Sequence, residues 1–570
     1  MNLLFERTLS AFFIILSLGG CGSLQQGEIA DLILKNTNVI TVDPGMPRAE
    51  AIAVRGDRIL AVGTNAEIQA FAGDATRVLS LEGATVVPGL IDAHIHFPRL
   101  GKRTKELFLD ETRSAEEVVV ILREQVKKRS AGEWVMGQGW HTATWNVLDY
   151  PDNTALNDVA PDNPVYLVGM ASHAAWVNNT ALRLAGVDKD TPDPPGGKIV
   201  RHADTGEPTG ILLENATALV SRFLPEETRE TRKADLELSV RTATRMGLTS
   251  LHDAGSDYQE IQLYKELLEE GKLDIRLYVM FDIPSPGAAL EEYIKKPPEI
   301  GLGDNRLTLR SLKVYADGAL GARGAVLLEP YSDQQETTGL VQNDESALYQ
   351  IVSRAMKAGY QVSTHAIGDG GNRAFLNAVE KAQKELPGRD PRHRNEHSQV
   401  ISPEDIPRFA ELGVIASMQP IHCITDMGFA EKRLGPERMK GAYAWKSLLD
   451  AGATVVGGAD TPAFPVHWTN PLLGIYAAVT RQDSEGNPPG GFYPEERVSR
   501  MEALKMYTIS AAYAAFEEDI KGSLTVGKLA DITVLSKDIL SVPASEILET
   551  EALMTIVGGE IVFQQPGFPE

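Results

Sequence analysis

The feature that most constrains the fold of this 570-residue chain is a series of eight short strand candidates with stretches of helical composition between them. Apolar strands that alternate with helices are typical of βα units around a parallel sheet. Eight such units predict an α/β fold of the (β/α)₈ TIM-barrel type. In chain order, the segments are VVPGLIDAHIHF, LTSLHDAG, IRLYVMFDI, LRSLKVYADGA, YQVSTHAIGD, RNEHSQV, VIASMQP and ATVVGGADTP.

The two ends of the chain differ from this middle part, because both consist of short strand-like runs broken by Gly-containing turns. Residues 29–85 and 521–566 therefore predict one small β-sandwich domain assembled from both ends. The barrel is expected over residues 86–520. A long interval separates its first strand from its second, so residues 100–235 are expected to form an insertion over the barrel mouth.

The first residues are typical of an export signal. An apolar stretch from Leu9 to Leu18 is too short to span a bilayer but suits a signal peptide. It runs into Gly19-Gly20-Cys21, which resembles the bacterial lipobox. We therefore expect a lipoprotein signal peptide over residues 1–20, lipidation of Cys21 and a polar tether over residues 21–28. The mature chain would then be exported and held in the cell envelope by its lipid anchor; the alternative is a plain secretory signal.

Composition excludes one class of partner. The formal net charge is −23 and there is no basic arm, so the surface repels polyanions and nucleic acid is not an expected ligand. Cys423 is the other of the two cysteines, so no intramolecular disulfide is expected beside a lipidated Cys21. A small-molecule ligand and a homodimer are both compatible with this composition.

Side chains that commonly bind metals lie at the ends of several predicted strands. On the first strand, Asp92, His94 and His96 share parity and so point to one side. Barrel active sites are built at the carboxyl ends of the strands. Imidazole and carboxylate groups suit Zn²⁺ and related metals. Four later strands add candidates at a similar height, namely Lys313, His365, His397 and Asp460.

From about residue 30 to 565 the chain resembles the amidohydrolase superfamily, in its amidohydrolase 3 or YtcJ-like branch, which includes N-substituted formamide deformylase. A lone His-x-His motif is weak evidence, but here it is followed by further matching segments in order. The chain has GGADTPAFPV where relatives often read GSD followed by a small residue and Pro. Among the other matching segments are SHAAWVNNTAL, KVYADGALGARGAVLLEPYSD, STHAIGDGGN, RHRNEHSQV, SMQPIHCITDM and GSLTVGKLADITVLS.

The resemblance implies a role for each strand-end residue. His94 and His96 would bind the more buried metal, and His365 with His397 would bind a second metal or complete a mononuclear site. Asp460 would bind the metal and its water and move the water's proton. Lys313 stands where superfamily members often carry a carboxylated lysine that bridges two metals. One or two zinc ions are therefore expected.

The same residues also have structural interpretations. His94 and His96 could be hydrogen-bonded core histidines, and Lys313 could form a salt bridge with Asp317 or Asp92. We expect Asp92 itself to orient one of the metal-binding histidines.

Other candidates lie near the expected site. His422 is expected to polarise the substrate carbonyl, whereas Cys423 is expected to be a small buried thiol. His252 could bind substrate or be structural. The residues expected to contact substrate are His173, Arg323 and Trp140, although Arg323 could instead pair with Asp317 and Trp140 could instead be a packing residue.

Together these features predict a metal-dependent amidohydrolase that cleaves a non-peptide carbon–nitrogen bond, of the EC 3.5 type, with an activated water. An esterase, lactonase or phosphoesterase would use the same site. A non-catalytic binding lipoprotein is the alternative from another class, and the retention of Asp460 and both strand-one histidines argues against it.

Overall fold

The computed structural model describes residues 29–569, except for 141, 143–144, 146–149, 170–173 and 462–465. The predicted signal peptide, Cys21, the tether and His173 therefore lie outside the described residues. None of the described helices is long and apolar enough to cross a membrane.

Eight parallel strands form the centre of the molecule, each paired with the next in chain order. Each strand overlaps one of the eight predicted segments, although β2 ends one residue after its segment and β4 begins two residues before its segment, so the predicted barrel is confirmed. The strands are β1 Leu90–Ile95, β2 Leu248–Ser256, β3 Arg276–Asp282, β4 Leu307–Tyr315, β5 Gln361–Ala366, β6 Arg394–His397, β7 Ile415–Met418 and β8 Val455–Gly457.

The residues after β8 return to β1 and bring the two ends of the sheet together. The N–H of Asp460 donates to the carbonyl oxygen of His94 at 2.8 Å, and the N–H of His96 donates to the carbonyl oxygen of Thr461 at 2.8 Å. Gly458 lies directly against β1, since a Cβ there would be 2.6 Å from the backbone nitrogen of His94.

Helices pack around the strands. Helix Glu345–Ala358 illustrates the pattern, because Asp344 caps its first turn and Gly359 ends it in the left-handed conformation. Its apolar face, which includes Leu348 and Ile351, is buried against the barrel. The helices of this layer are Phe97–Arg103, Arg229–Arg245, Tyr258–Glu269, Ala288–Ile294, Leu302–Asn305, Glu345–Ala358, Asp369–Glu385, Ile406–Leu412, Pro420–Asp426, Ala430–Leu434, Pro436–Met439, Trp445–Asp450, Pro471–Thr480, Arg500–Met506 and Ile509–Ala514. A short strand, Glu299–Gly301, pairs antiparallel with β4.

The insertion after β1 has its own sheet and its own apolar core. Glu111 of the insertion lies 3.6 Å from His467 in the 3-10 turn after β8, so the insertion contacts the segment that follows the last barrel strand. In sheet order its strands are Gly197–Arg201, Pro208–Glu214, Ala174–Val177, Val165–Gly169, Val135–Trp140 and Leu107–Phe108; its helices are Ala115–Val126, Thr154–Val159, Asn179–Ala185 and Ala218–Ser221.

The two chain ends form a further pair of sheets, and in one of them they share hydrogen bonds. Strand Ile532–Leu535 from the C-terminal part pairs antiparallel with Thr85–Pro88 from the N-terminal part. That sheet has the order Glu560–Gln564, Ala552–Val557, Ile532–Leu535, Thr85–Pro88, Asn38–Ile40 and Arg48–Ala49. The other sheet has the order Arg58–Gly63, Ala51–Arg55, Leu32–Lys35 and Arg77–Ser80. Helix Asn65–Gln69 follows strand Arg58–Gly63 along the chain.

Candidate metal centre

The two histidines of β1 meet the carboxylate that follows β8. His94 is fully buried, and its Nε2 lies 3.5 Å from Oδ1 of Asp460. The side chain of His96 is 26% exposed, and its Nε2 lies 3.3 Å from the same oxygen. Both imidazoles therefore face one carboxylate, as their shared parity on the strand predicts.

His397 and His365 come to the same place from β6 and β5. The ring centre of His397 is 4.8 Å from that of His94 and 4.4 Å from that of His365. The amide of Gln419 donates to the carbonyl oxygen of Ser417, so its own oxygen faces Nδ1 of His397 at 2.8 Å. Nδ1 is therefore the donor in this pair, and the lone pair of Nε2 is available to a metal.

The residues present fit a divalent metal. One ligand atom each of His94, His397 and Asp460 lies within 4.8 Å of the others. The Nε2 atom of His365 is buried and has no hydrogen-bond partner in the described part of the chain. Buried imidazole nitrogen needs a partner, and nitrogen and carboxylate oxygen are the donors that zinc prefers.

Asp460 is held in an unusual backbone conformation at the end of β8. Its φ is +52°, in the left-handed region that non-glycine residues seldom adopt. Burial opposes ionisation of its carboxyl, but the neighbouring imidazoles of His94 and His96 outweigh burial and hold the pKa of Asp460 well below its ordinary value. The carboxylate is therefore ionised and can accept a proton.

Lys313 of β4 is buried beneath the histidines. Its Nζ lies 3.4 Å from Nε2 of His94, and burial lowers its pKa. The alternative interpretation of Lys313, a salt bridge with Asp317 or Asp92, is not supported, because both carboxylates accept hydrogen bonds from backbone N–H groups. Asp317 accepts the N–H groups of Val326, Ile367 and Gly368, and Asp92 accepts those of His94 and Ala459.

Asp92 was expected to orient a metal-binding histidine, and it contacts His94 through the main chain. Oδ1 of Asp92 accepts the backbone N–H of His94 at 2.9 Å and does not contact the ring. The group that contacts the ring is Glu396, whose Oε2 lies 2.5 Å from Nδ1 of His94. Glu396 was not among the predicted site residues. A signal was present, because Glu396 and Arg394 are two residues apart on one predicted barrel strand, so their opposite charges lie on the same side of it.

Three other candidates form hydrogen bonds with protein groups. His252 is fully buried and accepts a hydrogen bond from Arg394 at 2.8 Å, which favours its structural interpretation. Arg323 forms two hydrogen bonds with Asp333, at 2.8 and 3.1 Å, so the predicted pairing with Asp317 is wrong. The indole N–H of Trp140 donates to the carbonyl oxygen of Leu167 within the insertion core, which favours a packing role.

His422 faces the site from helix Pro420–Asp426. Its Nε2 lies 3.6 Å from Oδ2 of Asp460, and burial lowers its pKa, so the ring is neutral at neutral pH. The neighbouring Cys423 is buried, which raises its pKa to about 12. A thiol with that pKa is a poor nucleophile, as expected for a small buried side chain.

Comparison with known families identifies the family of this chain. The model of the amidohydrolase family matches residues 77–563, which covers the barrel, the insertion and most of the C-terminal part of the shared sandwich. The chain belongs to the amidohydrolase family. The resemblance predicted from the sequence motifs is therefore confirmed, and family members are metal-dependent hydrolases.

Relatives match this amidohydrolase over nearly its whole length. It is 34% identical to the protein LONG AFTER FAR-RED 3 of Arabidopsis thaliana, covering 94% of this chain and 92% of the relative. It is 32% identical to the putative amidohydrolase YtcJ of Bacillus subtilis, covering 91% and 96%. It is 28% identical to N-substituted formamide deformylase of Arthrobacter pascens, covering 95% and 99%.

A solved structure shows the same architecture. An uncharacterized metal-dependent hydrolase from Pyrococcus furiosus superposes with a TM-score of 0.69 at 27% identity, covering 90% of this chain and all of that one. The architecture of this chain is therefore shared with a solved metal-dependent hydrolase.

Proposed function

We propose that this amidohydrolase cleaves a non-peptide carbon–nitrogen bond of an N-formyl or other N-acyl amine, a reaction of the EC 3.5 type. The observation that carries the proposal is the meeting of His94, His397 and Asp460 at the barrel mouth, where a metal and a proton acceptor would be side by side. The relative of Arthrobacter pascens named as an N-substituted formamide deformylase supports this bond type.

Zinc is the proposed metal. His94, His397 and Asp460 would hold it, with His96, His365 and Lys313 around them as further ligands to one ion or to a second. When bound, a divalent metal lowers the pKa of water and polarises a carbonyl group. The remaining chemistry belongs to side chains of this chain.

Asp460 is the proposed general base and acid. Its ionised carboxylate accepts a proton from the attacking water and then donates that proton to the leaving nitrogen, which departs as a neutral amine. The left-handed backbone at Asp460 and its hydrogen bond to His94 hold the carboxylate in position. Both oxygens are in use, since Oδ1 faces the two histidines of β1 and Oδ2 faces His422.

His422 is the proposed electrophile. It lies across the Asp460 carboxylate from the histidines of β1 and is neutral, so it can donate one hydrogen bond without carrying charge into the buried site. A substrate carbonyl between His422 and the metal ligands would receive that hydrogen bond as negative charge develops on its oxygen.

A hydrolysis panel tests the bond type. Zinc-loaded protein is assayed with N-formyl and N-acyl amines, with esters and lactones of matched acyl groups, and with phosphotriesters. We expect the amides to be cleaved with the highest kcat/KM, and Asp460→Asn to remove that activity. Cleavage of esters or phosphotriesters with no amide turnover would contradict the proposed bond type while leaving the metal site intact.

We also propose that the enzyme is exported and lipid-anchored, because Leu18-Gly19-Gly20-Cys21 resembles a lipobox. Its substrate would then be a small molecule of the cell envelope or the surroundings. The net charge of −23 supports a partner other than nucleic acid.

A further inference from the structure

A carboxylate that is not among the proposed ligands lies directly behind one of them. Oε2 of Glu396 is 2.5 Å from Nδ1 of His94, and neither side chain has any exposed surface. The other ring nitrogen, Nε2, points toward the centre, 3.5 Å from Oδ1 of Asp460. The shorter contact is a charge-assisted hydrogen bond, whereas the longer one exceeds the usual hydrogen-bond range.

Glu396 is itself held in place by Arg394. The Nε atom of Arg394 donates to Oε1 of Glu396 at 2.7 Å. The same guanidinium donates to the carbonyl oxygen of Ala93 on β1 and to Oγ of Ser417 on β7. Arg394 therefore connects β6 to β1 and β7. It also donates to Oε2 of Glu396 at 3.2 Å, so Oε1 faces Arg394 alone and Oε2 is shared by Arg394 and His94.

This arrangement decides which nitrogen of His94 carries its proton. An ionised carboxylate only accepts hydrogen bonds, so the 2.5 Å contact places a proton on Nδ1. Nε2 lies on the opposite side of the ring and faces two of the other candidate ligands, with Nζ of Lys313 at 3.4 Å and Oδ1 of Asp460 at 3.5 Å.

We propose that Glu396 is a positioning residue that holds the proton of His94 on Nδ1 and turns the Nε2 lone pair toward His397 and Asp460. Carboxylates behind metal-binding histidines fix the ring and raise its basicity, and their loss typically costs about 10- to 100-fold in metal affinity. The inference rests on the proposed metal site but is independent of which bond the enzyme cleaves.

Two substitutions at this position separate positioning from packing. Glu396→Gln keeps the volume but leaves one acceptor oxygen where two are in use, so the amide NH₂ must face either Arg394 or His94. Glu396→Asp is shorter but keeps both acceptors and the charge. A packing role predicts that E396Q is as stable as wild type and that E396D is less stable. A positioning role predicts that E396Q binds zinc more weakly than E396D does.

The readout is zinc affinity, measured by competition with a chromophoric chelator, together with the visible spectrum of the cobalt-substituted protein. We expect E396Q to weaken zinc binding by about 10- to 100-fold and to shift the cobalt bands, and E396D to recover part of the affinity. Circular dichroism and thermal melting of the metal-free proteins establish that each variant is folded. If E396Q does not fold, E396D decides: a positioning role predicts shifted cobalt bands, whereas a packing role predicts a lower melting temperature with wild-type bands.

Glu517→Gln is the matched control, because Glu517 is also a buried carboxylate beside a cation, Lys521, but lies at the opposite end of the barrel near the start of β4. We expect its zinc affinity to equal that of wild type. A folded E396Q with wild-type zinc affinity and cobalt spectrum would overturn the inference and leave the proposed hydrolysis standing. Wild-type protein that binds no zinc would overturn both.

Discussion

The backbone N–H of Asp460 donates to the carbonyl oxygen of His94 at 2.8 Å, so the proposed proton carrier is fixed to the strand that carries the proposed metal ligands. Their side chains face each other as well, with Oδ1 of Asp460 3.5 Å from Nε2 of His94. Barrel closure thus brings the last strand's carboxylate to the first strand's imidazole. Proton transfer and metal binding depend on the same junction.

Replacement of the Asp460 carboxylate tests its role in proton transfer. Asp460→Asn keeps the shape and the backbone hydrogen bond but removes the proton acceptor. We expect kcat on a cleaved amide to fall by at least roughly 10²-fold, the lower end of what general acid–base catalysis contributes. Zinc content, measured by mass spectrometry, should stay near that of wild type. Asp450→Asn, at a carboxylate exposed on the surface, is the control, and unchanged turnover in D460N would assign the base to another residue.

The contact between the end of β8 and β1 can be disturbed without changing any site residue. A Cβ at Gly458 would lie 2.6 Å from the backbone nitrogen of His94 and 2.9 Å from Oδ1 of Asp92, so Gly458→Ala must push β8 away from β1. We expect a loss of stability of about 1–3 kcal/mol, as for other overpacked positions, and a parallel fall in zinc affinity. Gly287→Ala is the control, since a Cβ there meets nothing within 4 Å. A G458A protein with wild-type melting temperature and zinc affinity would show that the junction tolerates displacement.

The eight strands and their strand-end side chains were predictable because both depend on local sequence. An apolar run and the parity of His94 and His96 specify a strand and the side its residues face, and carboxyl ends of parallel strands meet at one end of a barrel. The contact between Glu396 and His94 was not predictable in the same way. It joins residues 302 positions apart, and it requires the stagger of β6 against β1, which no single segment encodes.

Loop geometry decides the partner of Arg323. The alternative that Arg323 pairs with Asp317 is wrong, because the left-handed backbone at Arg323 accompanies a turn in which its side chain meets Asp333. Asp317 instead binds three backbone N–H groups of other segments. This partner was not predictable from sequence, because side-chain direction in a loop depends on φ and ψ at each residue.

The histidine pair of β1 is expected to be necessary for tight metal binding. We expect the double substitution His94→Ala with His96→Ala to abolish tight zinc binding, because it removes a member of the central trio and the adjacent imidazole. Zinc content after incubation and dialysis, measured by mass spectrometry, is the readout. His467→Ala removes an exposed histidine and should leave the content unchanged. Folded wild-type protein that stays metal-free after zinc incubation would contradict the metal site.

Membrane attachment is expected to depend on one sulfur atom. If Cys21 is lipidated, Cys21→Ser should leave export intact but move the protein from the detergent phase to the aqueous phase on phase partitioning. Cys423→Ser is the control, because Cys423 is buried and should not affect partitioning. Equal partitioning of C21S and wild type would favour the plain secretory signal.

The barrel and the sandwich are joined by a buried ion pair whose removal should destabilise the protein. Arg276 of β3 donates to both oxygens of Asp531, at 2.7 and 2.9 Å, and both side chains are at least 96% buried. Asp531→Asn leaves the Arg276 charge without its partner, which typically costs about 3–5 kcal/mol. We expect a lower midpoint in urea unfolding. Glu404→Gln removes one partner of the solvent-exposed pair with Arg373 and should shift the midpoint little.

The difference in urea midpoint between wild type and D531N should depend on pH, because it depends on the ionisation of Asp531. Burial opposes ionisation of its carboxyl, but attraction to Arg276 outweighs burial and holds the pKa of Asp531 below its ordinary value. A group whose pKa is lowered on folding stabilises the folded state above its unfolded pKa, about 4 for aspartate, and loses that contribution as the pH falls toward the folded pKa. The gap between the urea midpoints of wild type and D531N should therefore be full at pH 7 and narrow steadily below about pH 4. A difference in midpoint that is constant from pH 7 to pH 3 would show that the charge of Asp531 does not stabilise the contact between the barrel and the sandwich.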